Sequence, residues 1–210
     1  MRLLCISASN NHLQGTEETT SFKICNRIIL EARKMLPYVD CSIIELKNLT
    51  PNPCIGCFKC VESRRCVIDD VFNEIYEKVI NCDVLFIVSP HYAPIPAKLC
   101  MLLEKMETIS FRHWVNDNRY QSEVYGIPTG VISHGGGGTS GLLQEYMRVV
   151  NYPIWNALDT IQLRLIPYND EWKKGISVPP IENIQDCLDS EYAIFEDYIT
   201  KVIFSCDIAV

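Results

Sequence analysis

The chain has 210 residues, of which 48% are hydrophobic and 21% are charged, and its formal net charge is -7. This composition suits a single globular domain over residues 1–210, and an acidic chain without a basic run is a poor candidate for nucleic-acid binding. No apolar stretch approaches the ~20 residues of a membrane-spanning helix, and the first apolar run is too short for a signal peptide. We therefore expect a cytoplasmic protein that does not enter a membrane and that keeps its 11 cysteines reduced.

Short apolar segments of strand type alternate with segments of helical period along the chain. Strands are predicted over residues 3–7, 41–46, 84–89, 127–133 and 160–165. Helices are predicted over residues 21–35, 71–79, 97–108, 140–150 and 184–203. Fivefold alternation of this kind predicts an α/β fold in which a five-stranded parallel sheet carries helices on both faces. Two segments, 49–66 and 110–126, interrupt the alternation and are expected to be long loops.

The first candidate for ligand binding follows the first predicted strand. Ser9 and Asn11 come shortly after that strand, and Thr20 and Ser21 open the next helix. Hydroxyl and amide groups beside the free N–H groups of a helix N-terminus suit a phosphate, and ligands of such folds bind at the carboxyl ends of the strands. The segment has neither GxGxxG nor a P-loop lysine, which argues against a dinucleotide or a nucleoside triphosphate. A plain helix cap is the alternative interpretation.

Two further loops follow the third and fourth strands, at the same edge of the predicted sheet. One reads Ser89-Pro90-His91-Tyr92 and continues with two more prolines, so it is stiff and offers a flat aromatic ring to a planar ligand. The other runs from His134 to Gly138 and contains four consecutive glycines, which let the backbone approach a ligand closely. A rigid turn and a flexible linker are the respective alternatives.

Together these loops resemble those of the flavodoxin-like NAD(P)H-dependent FMN reductase superfamily. The resemblance implies the strand order 2-1-3-4-5 and FMN as the cofactor. It assigns the FMN phosphate to Ser9, Asn11, Thr20 and Ser21. It assigns the ribityl chain and the ring to Ser89, Pro90, His91 and Tyr92, and the other ring edge to His134, Gly135, Gly136, Gly137 and Gly138. The family's phosphate loop usually ends in arginine, whereas this chain reads Ala8-Ser9-Asn10-Asn11, so that cation is missing.

The densest chemical signal is a group of four cysteines within thirteen positions. These are Cys54, Cys57, Cys60 and Cys66. Their spacing, C-x2-C-x2-C-x5-C, wraps a short loop around a small core, as a 4Fe-4S cluster requires. Lys59, Arg64 and Arg65 are expected to offset the negative charge of the thiolates. A structural zinc ion, whose ligands usually come in two distant pairs, and a metal-free thiol site are the alternatives.

The position and spacing of this motif resemble the iron-sulfur flavoprotein family within the same superfamily. The resemblance implies a 4Fe-4S cluster beside FMN, and a homodimer or homotetramer in which the cluster of one subunit approaches the FMN of another. The implied function is electron transfer between FMN, the cluster and an external donor or acceptor, which is a protein or a small molecule. NAD(P)H is a candidate donor, and the flavin rather than a side chain carries the chemistry. The alternatives are an NAD(P)H-dependent FMN or quinone reductase without a working cluster, and a non-catalytic module with a structural zinc site.

Four cysteines outside the motif and two segments with aromatic residues also allow predictions. Cys5, Cys25, Cys82 and Cys100 are expected to be small buried apolar residues. The segments 111–125 and 167–180, the latter with Trp172, are candidates for a subunit interface or a lid, with ordinary surface loops as the alternative.

Overall fold

The computed structural model describes residues 1–10, 18–135, 140–179 and 192–206. Its strands are β1 (Arg2–Ser7), β2 (Asp40–Glu45), β3 (Val84–Pro90), β4 (Pro128–His134), β5 (Arg164–Leu165) and β6 (Ile176–Val178). Its helices are α1 (Thr20–Met35), α2 (Cys60–Ser63), α3 (Asp70–Ile80), α4 (Ala97–Asn116), α5 (Ser140–Tyr146), α6 (Tyr152–Thr160) and α7 (Tyr192–Phe204). In this described part of the chain, no helix is long and apolar enough to cross a membrane.

The sheet has the order β2-β1-β3-β4-β5, and its strands pair in parallel, so the predicted fold class and strand order are confirmed. Alternate residues of a strand point to opposite faces. Leu3 and Cys5 therefore pack with α1 and α7, while Leu4 and Ile6 pack with α3, α4 and α6. Because β3 and β4 are buried along their whole length, the sheet is covered on both faces, as parallel sheets generally are.

The far edge of the sheet differs from the prediction of one strand over 160–165. Helix α6 reaches Thr160, and the strand position beside β4 is shared by β5 and β6, so the sheet has six strands rather than five within the described residues. In the gap between β5 and β6, the Tyr198 hydroxyl accepts a hydrogen bond from the N–H of Val131 (3.0 Å) and donates one to the carbonyl of Ile166 (3.0 Å). A buried hydroxyl thus replaces the hydrogen bonds that a continuous strand would have made.

Three helices also depart from their predicted bounds. Helix α4 continues to Asn116, so residues 110–116 of the predicted loop 110–126 are helical. The helix predicted over 140–150 is α5 followed by a π-helical turn, Met147–Asn151. The closing helix is described as Tyr192–Phe204, and residues 184–191 of its predicted range lie outside the described part.

Candidate functional site

The loops after β1, β3 and β4 meet at one edge of the sheet, as predicted. The N–H of Ala8 donates to the carbonyl of Val88 (2.9 Å), and the N–H of His91 donates to the carbonyl of His134 (2.8 Å). These bonds extend the parallel pairing beyond the strand ends and hold the three loops side by side. Asn11 and Gly136 to Gly138, which are also predicted FMN contacts, lie outside the described residues.

The first side-chain pair at this edge joins two predicted FMN contacts. Ser21 Oγ lies 2.7 Å from His134 Nε2, and both side chains are buried. Burial lowers the pKa of His134 to about 4, because the surroundings disfavour the charged imidazolium. The imidazole is therefore neutral at physiological pH, and its ring fixes the position of the Ser21 hydroxyl at the start of α1.

The phosphate side of the edge is built from small polar groups. Thr19 caps α1 by accepting a hydrogen bond from the N–H of Phe22 (3.3 Å), and Thr20 is partly exposed beside it. Ser9 is buried in the turn after β1. The neighbouring Asn10 Oδ1 is buried without a hydrogen-bond partner among the described residues. A buried polar atom of this kind calls for a partner, so this turn suits a bound polar group such as a phosphate.

The ring side of the edge combines buried and exposed groups. Ser89 and Pro90 are buried at the end of β3, whereas His91 and Tyr92 are exposed. The His91 ring lies 5.3 Å from the Tyr146 ring. A Cβ at Gly135 would come within 2.8 Å of the same Tyr146 ring, so only glycine fits there without a shift. The result is an aromatic wall beside the predicted ring position, which suits a planar flavin.

The four cysteines of the motif line a single cavity whose empty space, open solvent included, is about 350 Å³. Cys57 is exposed, Cys54, Cys60 and Cys66 are partly buried, and all four are free thiols. Burial raises the pKa of the Cys60 thiol, and the other three cysteines raise it further, because neighbouring thiolates would repel its charge. Four thiols on one cavity are the donor type of a 4Fe-4S cluster, and binding one would require each of them to lose its proton.

The backbone of this loop is locally left-handed on both sides of Cys57. Gly56 has φ +65° and Phe58 has φ +56°. Left-handed residues are uncommon outside glycine and cost about 1–2 kcal/mol, so they concentrate where a ligand makes use of them. Successive turns of this type point backbone N–H groups into a concavity, which is a known feature of iron-sulfur sites. The Arg112 guanidinium lies 4.0 Å from the Phe58 ring centroid and covers it from α4.

The beginning of α3 holds both ends of the cysteine loop. The Asp69 carboxylate accepts hydrogen bonds from the N–H of Asn52 (2.9 Å) and of Phe72 (3.2 Å). The side-chain amide of Asn73 accepts from the N–H of Cys66 and donates to its carbonyl, both at 2.8 Å. An aspartate directly before a helix can be recognised from the sequence as a cap, but the bond from Asp69 to the loop cannot, because that contact spans 17 residues.

The cation at the cavity is not one of those expected. The cavity-lining set contains Lys105 of α4 and none of Lys59, Arg64 and Arg65. Arg65 instead binds the carboxylates of Glu77 (2.6 Å) and Glu123 (2.9 Å). The role of Lys105 could not be predicted from the sequence, because this residue lies 39 positions after Cys66. The packing of α4 against the cysteine loop brings it to the cavity.

No group of three or more His, Cys, Asp or Glu side chains within the described ranges has the arrangement needed to hold a metal ion. The four thiols share one cavity without having closed around a common centre. The expected burial holds for Cys5, Cys25 and Cys82 but was wrong for Cys100, which is exposed because it lies off the buried stripe of α4. Trp172 is buried in the core.

Comparison with known proteins identifies the family. Residues 1–162 match the family described as NADPH-dependent FMN reductase. An iron-sulfur flavoprotein of Methanocaldococcus jannaschii is 34% identical over 68 residues, which are 32% of this chain and only 35% of that protein.

Solved structures resemble the chain over nearly its whole length at low sequence identity. The apo form of an NADH:FMN oxidoreductase has a TM-score of 0.65 at 14% identity, covering 99% of this chain and 90% of that one. A Fusobacterium nucleatum flavodoxin bound to flavin mononucleotide has a TM-score of 0.53 at 14% identity, covering 98% of both chains. These likenesses show the fold. The chain therefore belongs to the NADPH-dependent FMN reductase family, and its fold is flavodoxin-like.

Proposed function

We propose that this protein is an FMN-dependent oxidoreductase that passes electrons between FMN, a 4Fe-4S cluster and an external donor or acceptor. The observation that carries the proposal is that Cys54, Cys57, Cys60 and Cys66 line one cavity. The relative from Methanocaldococcus jannaschii, whose name is iron-sulfur flavoprotein, supports it over a third of the chain. FMN accepts two electrons, for which NAD(P)H is the candidate donor, and the cluster passes them singly.

The residues at the sheet edge would hold the cofactor by hydrogen bonds and stacking. Ser9, Thr20 and Ser21 present hydroxyls near the N-terminus of α1, where the helix dipole favours a phosphate even though the family's arginine is missing. His91 and Tyr92 present exposed rings to the isoalloxazine. His134 acts through Ser21, whose hydroxyl it orients.

A homodimer or homotetramer belongs to the same proposal. Exposed apolar side chains surround the cysteine cavity and continue along the last turns of α4. They are Ile55, Phe58, Val67, Phe111, Trp114 and Val115. Exposed apolar side chains in such number are typical of a protein interface, and we propose that a second subunit packs against them. Trp172, by contrast, is buried and takes no part in such an interface.

The second candidate function is an NAD(P)H-dependent FMN or quinone reductase without a working cluster. It is favoured by the exposure of Cys57, which would leave a cluster accessible to oxygen. In that case the cysteines would be free thiols, and hydride would pass from nicotinamide to the flavin and on to an acceptor. A structural zinc ion on the same thiols is the third possibility to test.

Anaerobic purification with metal, sulfide and flavin analysis separates these functions. The proposal expects a brown protein with about four iron and about four sulfide per chain, together with FMN. Cys57→Ser should lose the iron and keep the FMN, whereas Cys100→Ser, which removes an exposed thiol outside the motif, should keep both. A yellow protein without iron that oxidises NAD(P)H rapidly would establish the second candidate. One zinc ion per chain would contradict both the 4Fe-4S cluster and the metal-free thiol site.

A further inference from the structure

A buried ion pair lies at the base of the cysteine cavity. The Lys105 ammonium of α4 contacts the Asp69 carboxylate at the start of α3, and the two side chains are only 3% and 1% exposed. Lys105 lines the cavity together with the four motif cysteines, and Asp69 does not. The pair is therefore oriented, with its positive end toward the cavity and its negative end toward the backbone N–H groups of Asn52 and Phe72.

Ion pairs in such surroundings are seldom justified by stability alone. Desolvation of two buried charges commonly offsets their attraction, so an apolar pair of similar volume is often as stable. Phe72 and Ile109, which line the same cavity, are buried apolar residues, so an apolar pair at this place would have been compatible with its surroundings. An ammonium that is paired with Asp69 and also lines the cavity beside four thiols is compatible with an anionic occupant of that cavity.

We propose that the Lys105–Asp69 pair sets the reduction potential of the 4Fe-4S cluster, an inference that rests on the proposed function. A cluster with four thiolate ligands is negative and gains one more negative charge when it accepts an electron. An ammonium at the cavity wall stabilises the reduced form more than the oxidised form, because the low dielectric of the interior strengthens the attraction. Asp69 moderates this effect through its opposite charge.

The four test variants comprise two that change the charge of the pair and two that leave it unchanged. Asp69→Asn removes the counter-charge and keeps a helix-capping oxygen. The double variant Asp69→Asn with Lys105→Met removes both charges without leaving either one unpaired. Lys105→Arg keeps the charge. Lys98→Met is the matched control, since Lys98 is a partly buried lysine of the same helix that donates to the carbonyls of Leu46 and Lys47 instead.

The measurement is an anaerobic redox titration followed by the cluster's EPR signal, with iron and FMN content determined for each preparation. We expect Asp69→Asn to raise the equilibrium constant for reduction of the cluster about tenfold, which is about 59 mV for one electron. The double variant should lower that constant by the same factor. In Lys105→Arg and Lys98→Met, the equilibrium constant for reduction of the cluster should stay within threefold of the wild-type value. The FMN content should be the same throughout.

The outcomes separate this inference from the proposed function. If the wild type holds iron and the potential is the same in the Asp69→Asn and double variants, the inference is wrong and the cluster function stands. If the wild type holds no iron, both fall. Should the double variant fail to fold, the sign of the Asp69→Asn shift still decides, because an unshifted or lowered potential contradicts the expected role of the ammonium.

Discussion

The sheet edge formed by the loops after β1, β3 and β4, where we propose that FMN binds and which we call the flavin edge, differs from the cysteine loop in how much of its geometry the protein fixes by itself. At the edge, the loops after β3 and β4 are joined by a backbone hydrogen bond, and Ser21 and His134 form a buried pair. The cysteine loop crosses residues 54–60 with left-handed backbone at Gly56 and Phe58, and its anchors lie at its two ends, on Asp69 and Asn73.

If the two cofactors bind where we propose, this difference predicts two modes of cofactor binding. The edge is a consequence of strand pairing, so it is organised before a flavin arrives. The cysteine loop holds a left-handed non-glycine residue, Phe58, directly after Cys57 and presents exposed apolar side chains, and we expect a bound group to compensate both features. Substitutions made separately in the flavin edge and in the cysteine loop test this difference.

The largest effect is expected from Asp69→Ala, which removes the anchor between loop and core. The substitution leaves the Lys105 ammonium buried and unpaired and takes the acceptor from two backbone N–H groups, so we expect a loss of about 3–5 kcal/mol in the free energy of unfolding. Urea denaturation measures it. Asp117→Ala, at the exposed ion pair with Arg119, should leave the stability unchanged. Equal losses in the two variants would mean that the buried pair is not an anchor.

At the flavin edge, the buried His134 should make the free energy of unfolding depend on pH. Burial holds the pKa of His134 at about 4 in the folded protein, against about 6.5 when unfolded. Below pH 6.5 the unfolded chain binds a proton that the folded chain does not, so stability falls from pH 6.5 toward pH 4 by roughly 3 kcal/mol. His134→Gln removes this contribution while the carboxylates titrate as before. Equal stability curves for both proteins between pH 7.5 and pH 4.5 would contradict the buried neutral histidine.

The central strands could be predicted from the sequence because each is a continuous apolar run. The predicted bounds of β1, β3 and β4 differ from the structure by at most one residue at either end. The far edge could not be predicted, because its pairing depends on a distant side chain, Tyr198, and on Gly175, where a Cβ would come within 2.0 Å of the Val131 carbonyl oxygen. Neither contact leaves a local signature.

The candidate site divides in the same way. The cysteine motif and the three edge loops were identified from short local patterns, since their chemistry is carried by neighbouring residues. Lys105 and Asn73 were not, because their roles arise from helix packing against the loop. The sequence favoured Arg64 and Arg65 as counter-charges because they are near the cysteines along the chain, and Arg65 is instead occupied by two glutamates.

A matched pair of glycine substitutions compares the rigidity of the two regions. In Gly135→Ala the new Cβ meets the Tyr146 ring at 2.8 Å, so overpacking should cost about 1–3 kcal/mol in unfolding free energy and lower FMN affinity. In Gly56→Ala nothing lies within 4 Å, and only the left-handed φ is penalised. The second variant should therefore lose iron while its global stability stays closer to the wild type. Calorimetry with cofactor analysis distinguishes them, and a larger loss of stability in Gly56→Ala would reverse the comparison.

The smallest effect is expected from Asn73→Ala, which releases only the end of the loop. The reciprocal hydrogen bonds to the Cys66 backbone disappear, and their net contribution is about 1 kcal/mol, so local opening around Cys66 should become about fivefold more frequent. Alkylation of the metal-free protein, followed at Cys66 by peptide mapping, measures that opening. Asn81→Ala is the control, because Asn81 is the same residue type at the opposite end of α3 and bonds to the carbonyl of Glu77. Faster alkylation of Cys66 in Asn73→Ala alone, at nearly unchanged global stability, would show that Asn73 holds the end of the loop. The same alkylation rate in the wild type, Asn73→Ala and Asn81→Ala would mean that other contacts hold it.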